Sequence, residues 1–391
     1  GSENRGKKLQ CEDGGGRGWE SSEARRGGRL ANWWRAAAGQ GFLFPAGGEQ
    51  VASTGGRRGA VADAGGSARG PRRGPTPSLA LLRAPAPCRP ASVGHRGTIQ
   101  DYPGFSPSAD AEAIRKAIRG IGTDEKALIS ILTERPNAQR QLVVKEYQAA
   151  YGKELKDDLK GDLSGHFEHL MVALVTSPAV FDAKQLKKSM KGAGTNEAAL
   201  IEILTTRTSR QLKEISQAYY TVYKKSLGDD ISSETSGDFR KALLTLADIL
   251  YNAGENRWGT DEDKFTEILC LRSFPQLKLT FDEYRNISQK DIEDSIKGEL
   301  SGHFEDLLLA IVHCARNMPA FLAERLHQAL KGAGTDEFTL NRIMVSRSEI
   351  DLLDIRAEFK KHYGYSLYSA IKSDTSGDYE VTLLKICGGD D

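Results

Sequence analysis

The sequence has no run of about 18 apolar residues, so no membrane-spanning helix is expected. Its first residues, Gly1-Ser2-Glu3-Asn4, lead into no apolar stretch, so no secretory leader is expected either. Cysteine is sparse. The 5 cysteines stand at 11, 88, 270, 314 and 387, an odd number without a C-x-x-C pair. That argues against a disulfide scaffold or a zinc finger, and reduced thiols in a cytoplasmic protein are the plain expectation. Net charge is nearly absent, at +1 over 391 residues, but the sum hides an asymmetry. Residues 1–92 hold 15 basic and 7 acidic residues and 19 of the 41 glycines, whereas residues 93–391 carry a net −7.

The first 92 residues run through Gly-Gly-Gly-Arg-Gly, Arg-Arg-Gly-Gly-Arg and Pro-Arg-Arg-Gly-Pro. Such a composition cannot bury enough apolar surface to offset chain entropy, and a disordered extension is expected. Trp19, Trp33 and Trp34 sit among arginines, a combination that can stack on and attract RNA. The pattern is too irregular for a true Arg-Gly-Gly array, and a solvated extension is the simpler reading.

The remainder repeats itself. Arg-Gly-Ile-Gly-Thr occupies 119–123, Lys-Gly-x-Gly-Thr occupies 191–195 and 331–335, and Arg-Trp-Gly-Thr occupies 257–260. Counting from the second glycine (Gly122, Gly194, Gly259, Gly334), an arginine follows at 13 residues: Arg135, Arg207, Arg272, Arg347. An aromatic follows at 25 (Tyr147, Tyr219, Tyr284, Phe359) and a carboxylate at 40 (Asp162, Glu234, Glu299, Asp374). Each carboxylate precedes an x-Ser-Gly-x-(Phe/Tyr) signature, as in Ser164-Gly165-His166-Phe167. A fixed period of this kind marks a repeat architecture. Apolar residues recur at helical spacing, with Ala127, Leu128, Ile131 and Leu132 on one face. Thr123, Thr195, Thr260 and Thr335 read as N-caps, as do Ser164, Ser236, Ser301 and Ser376 before a later helix. Long alternating β patterns are absent, so the fold class is all-α.

Glycines let an inter-helix loop turn its carbonyls inward. Carbonyl oxygens are hard ligands suited to calcium, and one carboxylate from a second loop would complete the set. Such a site carries little negative charge, binds weakly alone, and leaves coordination positions for a lipid phosphate oxygen. A single Gly-x-Gly-Thr can equally be a helix stop followed by a helix start. Four loop–carboxylate pairs at constant spacing favour the calcium reading.

These units resemble annexin repeats, and the resemblance covers the chain from about Val93 onward. It implies four five-helix repeats in a slightly curved disc, with calcium loops on the convex face. It implies calcium-dependent binding to acidic phospholipid, and with it phospholipase A2 inhibition, anticoagulant activity and a part in membrane traffic. Carried over, the metal residues are Ile118, Gly120, Gly122 and Asp162 in the first repeat and Met190, Gly192, Gly194 and Glu234 in the second. In the third they are Gly254, Arg257, Gly259 and Glu299, and in the fourth Leu330, Gly332, Gly334 and Asp374. Arg119, Lys191, Trp258 and Lys331 flank the loops as membrane contacts. The expected layout is an extension (1–92), a short arm (93–108) and repeats at 109–176, 177–248, 249–317 and 318–391. The expected protein is a monomer, cytoplasmic and reversibly peripheral on membranes.

One interval departs from the pattern. From carboxylate to next second glycine the chain runs 32 residues after Asp162 and 35 after Glu299, but only 25 after Glu234. Set against the family's long connection here, this implies a deletion of roughly twenty residues, taking most of the third repeat's first helix. The Gly254–Gly259 loop is then the least secure site.

No enzyme is expected. His166-Phe167-Glu168-His169 is an H-x-x-H pair with the wrong spacing and too few ligands for a zinc protease. No nucleophile elbow, P-loop or dinucleotide fingerprint occurs. The remaining alternative is a calcium-independent helical-repeat scaffold with a basic RNA- or membrane-binding tail, which would leave the four carboxylates unexplained. Nucleic acid is not the expected partner.

Overall fold

The computed structural model describes residues 96–119, 122–192, 194–247, 261–332 and 334–390. Among them there is no strand. The first repeat contributes α1 (Pro107–Arg119), α2 (Glu125–Glu134), α3 (Asn137–Tyr151), α4 (Leu155–Asp162) and α5 (Gly165–Leu174). The second contributes α6 (Pro178–Ser189), α7 (Glu197–Thr206), α8 (Ser209–Tyr223), α9 (Leu227–Glu234) and α10 (Gly237–Ala247). Then come α11 (Asp261–Leu271), α12 (Phe274–Ser288), α13 (Ile292–Glu299) and the 28-residue α14 (Gly302–Ala329). The chain closes with α15 (Glu337–Arg347), α16 (Leu352–Tyr363), α17 (Leu367–Asp374) and α18 (Gly377–Cys387). The expected disordered extension at 1–92 and the expected helix loss before α11 both fall outside the described residues.

The caps show how short helices are started. The true N-caps are Asp124, Asn196 and Asp336, one residue later than the threonines expected from sequence. Each side-chain oxygen accepts from the N–H three residues on, at 3.0 Å to Ala127, Ala199 and Thr339. The short Asx side chain makes this bond well, and two of the threonine hydroxyls are engaged elsewhere. Thr260 lies outside the described residues. Ser164, Ser301 and Ser376 do stand at N-cap positions, but their hydroxyls make no capping bond. The glycine after each has φ between 63° and 68°, a left-handed turn that a β-carbon would resist. That requirement explains the recurring Ser-Gly pair.

By length and composition α14 could cross a membrane. Its backbone is broken at Asn317 (φ −157°, ψ 90°), beside Pro319, and Asn317 Oδ1 accepts from Ala320 N at 3.2 Å to start the second half. Leu307, Leu308, Ile311, Leu322 and Leu326 are all buried, so α14 is a core helix that serves two repeats.

Within a repeat, the first helix lies along the third: α1 on α3, α6 on α8, and α14 on α16. A polar trio ties first, third and fourth helices together. In the first repeat, Arg115 meets Asp158 at 2.6 Å and Tyr147 donates to the same carboxylate at 2.7 Å. In the second, Lys187 meets Asp230 at 2.6 Å, and Tyr219 also donates to Asp230. The fourth repeat substitutes rings for charges, with His327 stacked on Tyr363 at 3.7 Å and Phe359 close by. In the third repeat only the neutral remainder is described, Tyr284 donating to Ser295 at 2.7 Å.

Repeats pair off. The first and fourth share one apolar cluster, from Ile114, Leu128 and Leu170 to Leu340, Ile355 and Leu383. Helices of the second and third pack through α7, α10, α11 and α14. Between the second and fourth repeats, Glu202 takes the Arg342 guanidinium at 2.8 and 2.7 Å, both side chains at most 1% exposed. The described residues lie within one compact unit.

Candidate functional site

Three loops are pinned in the same way. The N–H of the cap residue reaches back seven residues: Asp124 to Ala117 O at 2.9 Å, Asn196 to Ser189 O at 2.8 Å, and Asp336 to Ala329 O at 2.8 Å. The residues between are held outside either helix ladder. Among the described residues, no hydrogen bond ends on the carbonyls of Ile118, Gly122, Met190, Gly192, Gly194, Leu330, Gly332 or Gly334. The side chains of Ile118 and Met190 are buried beneath their loops, and Leu330 is half-buried.

The second and fourth loops share one backbone. Gly192 and Gly332 have φ of 123° and 125°, and Gly194 and Gly334 have 105° and 113°. Gly122 stands at 84°. A β-carbon built on any of these would meet nothing within 4 Å. Glycine is therefore demanded by the backbone turn and not by crowding, and the space above the loop is open.

In two repeats folding brings the loop threonine to the end of the helix that carries the distant acid. Thr195 Oγ1 donates to Glu234 O at 3.3 Å. Thr335 Oγ1 lies 2.6 Å from Asp374 Oδ2 and 3.0 Å from Asp374 O, so its single proton goes to the nearer carboxylate oxygen or is shared between the two. In the first repeat no such bond joins Thr123 and Asp162 among the described residues. Asp162 and Glu234 are exposed at the ends of α4 and α9, while Glu299 and Asp374 are half-buried at the ends of α13 and α17. Arg119, Lys191 and Lys331 are exposed beside their loops. Gly120, Gly254, Arg257, Trp258 and Gly259 lie outside the described residues.

The donor chemistry is one carboxylate with several neutral carbonyls, all hard oxygens, which fits calcium. It does not resemble a site of clustered charged ligands, and among the described residues no three His, Cys, Asp or Glu side chains converge on a metal position. The carboxylates also meet across repeats. Asp162 and Asp374 line one cavity of about 440 Å³, and Glu234 and Glu299 line another of about 500 Å³.

Those cavities obey an internal two-fold relation that sequence reading missed. His166 of the first repeat approaches Glu337 at 3.2 Å and lies 5.7 Å from the Tyr379 ring. His303 of the third approaches Glu197 at 3.8 Å and lies 5.7 Å from the Phe239 ring. His166 thus faces the fourth repeat, and its ring is 6.4 Å from that of His169. The available signal was the position after Ser-Gly, which holds His in the first and third repeats and Asp in the second and fourth.

The profile of the annexin family, described as "Annexin", matches residues 109–174, 181–246, 247–311 and 321–386. The chain belongs to the annexin family. Annexin A3 of Homo sapiens is 87% identical over 318 aligned residues, covering 76% of this chain and 98% of that protein. A solved structure of annexin III superposes with a TM-score of 0.73 at 87% identity, covering 76% of this chain and 99% of that one. Calcium-bound annexin (Sm)1 superposes with a TM-score of 0.69 at 36% identity, covering 76% and 94%. The four matched segments of this annexin coincide with the four repeat signatures, including the third, whose loop was least regular in sequence.

A second pairing in this annexin was also missed. Arg135 takes Asp110 of α1 with Nε at 2.8 Å and Nη2 at 3.0 Å, and Arg207 does the same with Asp182 of α6. Both carboxylates stand 12 residues before the second glycine. In the fourth repeat that position is Leu322, and Arg347 turns to Asp351 instead. Arg272 is exposed, with no ion pair among the described residues.

Proposed function

We propose that this annexin binds acidic phospholipid membranes in a calcium-dependent, reversible and peripheral manner, without catalysis. The reading is supported by the bonds that join each glycine loop to the helix end bearing its acid, Thr195 Oγ1 with Glu234 O and Thr335 Oγ1 with Asp374, 39 residues apart in sequence. Carbonyls of Met190, Gly192 and Gly194 with Glu234, and of Leu330, Gly332 and Gly334 with Asp374, would hold the ion. Ile118, Gly120 and Gly122 with Asp162 form the first-repeat set. Calcium, when bound, supplies positive charge that joins these oxygens to a lipid phosphate. Residues 93–391 carry a net −7, so an anionic surface repels them otherwise. Arg119, Lys191 and Lys331 sit beside the loops to meet headgroups. Several weak sites on one rigid body act at raised effective concentration, which makes binding steep. Covering the membrane in this way would account for phospholipase A2 inhibition, anticoagulant activity and a role in membrane traffic from a cytoplasmic pool.

The same reading extends to the third repeat, which we take to have lost most of its first helix. The exposed Arg272 supports this, because its counterparts Arg135, Arg207 and Arg347 are all buried. The alignment with the human relative agrees, being longer than the share of this chain it covers by roughly twenty positions. Replacing Asp162, Glu234 and Asp374 together by their amides tests the function. Loss of calcium-dependent vesicle sedimentation with an unchanged helical circular dichroism spectrum is expected. Sedimentation equal to the parent chain's would refute the assignment.

A further inference from the structure

Thr335 and Thr195 occupy the same place in loops of the same backbone, yet they do different things. Thr195 reaches only the main-chain carbonyl of Glu234, at 3.3 Å. Thr335 reaches the carboxylate of Asp374 itself, Oγ1 to Oδ2 at 2.6 Å, as well as its carbonyl at 3.0 Å. Side-chain length permits the difference between these two loops. Aspartate is one methylene shorter than glutamate, so the Asp374 carboxylate stays beside its own backbone, within reach of a hydroxyl already bonded there. Asp374 is half-buried and Glu234 exposed, and among the described residues the nearest partner of the Glu234 carboxylate is its own neighbour, Ser233 Oγ at 3.5 Å, not the loop.

We propose that Thr335 is a positioning residue that presets the fourth repeat's carboxylate against its glycine loop, so that this site takes calcium ahead of the second repeat's. The inference rests on the calcium reading above. A carboxylate oxygen has two lone pairs. Accepting from Thr335 occupies one on Oδ2 and leaves Oδ1 and the second lone pair of Oδ2 for an ion. The hydrogen bond therefore persists as the site fills. What it removes beforehand is the rotamer freedom of Asp374, an ordering cost that Glu234, free to swing on a longer stem, still bears on binding. Asp162 has the chemistry of Asp374 and a threonine, Thr123, in the same place, but the two are not bonded among the described residues. The first-repeat site thus lacks the presetting that its residues would allow.

The test compares Thr335→Val, Thr335→Ala, Thr335→Ser and Thr195→Val in the full chain. Calcium is titrated against phosphatidylserine vesicles, and the calcium for half-maximal sedimentation is read. The two variants without a hydroxyl are expected to need about threefold more calcium, the equivalent of one restored side-chain rotor. Thr335→Ser should match the parent, and Thr195→Val, which removes a bond to a main-chain carbonyl only, should raise the requirement less than Thr335→Val. A second readout uses no calcium: in chelator, amide hydrogen exchange across 330–337 should quicken in Thr335→Val and not in Thr335→Ser. An unchanged or lowered calcium requirement in Thr335→Val, with a calcium-responsive parent, overturns the tether and leaves the calcium reading standing. A parent that ignores calcium overturns both.

Discussion

Asp182 grips Arg207 with both oxygens, Nε to Oδ2 at 2.7 Å and Nη2 to Oδ1 at 2.9 Å. The pair joins the second repeat's first helix to the end of its second, and both side chains are at most 7% exposed. Such a fork is planar, charge-assisted and specific in direction. Among the described residues Arg272 has no such fork, unlike its counterparts Arg135, Arg207 and Arg347.

That contrast predicts the cost of removing each arginine. Arg207→Ala strands a buried carboxylate and should destabilise the protein by about 3–5 kcal/mol. Arg272→Ala removes an exposed side chain and should stay within about 0.5 kcal/mol of the parent. Urea unfolding followed by circular dichroism separates the two. Equal losses would mean that Arg272 has a partner of equal value.

Glu202 predicts an acid limb in stability. Burial pushes its pKa up, but Arg342, with Arg325 and Arg207 behind it, outweighs burial and holds the group below the usual glutamate range. A folded-state pKa below the unfolded value, about 4.3, stabilises above that value, and the contribution disappears as pH falls through the folded pKa. The urea midpoint should therefore fall steeply below about pH 4. Glu202→Gln should flatten part of that slope and lower the midpoint at pH 7, since Arg342 is then buried without a counter-charge. A variant with the parent's pH slope would place the acid limb elsewhere.

The four-fold arrangement was legible because landmarks at 13, 25 and 40 residues recur in one chain, and each landmark has a packing role. The aromatic at 25 carries Tyr147 and Tyr219 onto Asp158 and Asp230. The position at 40 ends a helix whose last residue meets the loop threonine, as Glu234 O meets Thr195 and Asp374 meets Thr335. Cap positions were misread by one residue, because Thr and Asx are both good caps and local sequence does not say which oxygen turns inward. The Asp110–Arg135 fork, the His166–Glu337 approach and the Arg342–Glu202 pair were not legible. The pair joins residues 140 apart, and its geometry arises only when repeats dock.

The described thiols should be inert in the native state. Burial pushes Cys270 and Cys314 up to about 12 and Cys387 up to about 11, and the thiolate is the reactive form. With a disulfide reagent at pH 8, these three should react only as fast as the protein unfolds, and together on adding denaturant. Rapid labelling of Cys270 in native protein would show that the third repeat opens on its own.

The paired cavities predict coupling between carboxylates. Asp162 and Asp374 line one cavity, so a cation held by one carboxylate would act on the other across the shared space. Asp162→Asn should therefore change the calcium requirement of the fourth-repeat site, while Glu234→Gln, in the other cavity, should leave it unchanged. Calcium titration calorimetry on the two variants and their double mutants with Asp374→Asn checks this. Strict additivity for the Asp162/Asp374 pair would mean that the cavity does not couple them.

The central claim is that calcium, held by loop carbonyls and a distant carboxylate, joins this annexin to acidic lipid. Sedimentation of the full chain with phosphatidylserine vesicles, in calcium and then in excess chelator, tests it most directly. The account predicts binding in calcium that is fully reversed by chelation and absent with phosphatidylcholine vesicles. Binding that survives chelation and fades with salt would contradict it and make the basic residues the membrane contact.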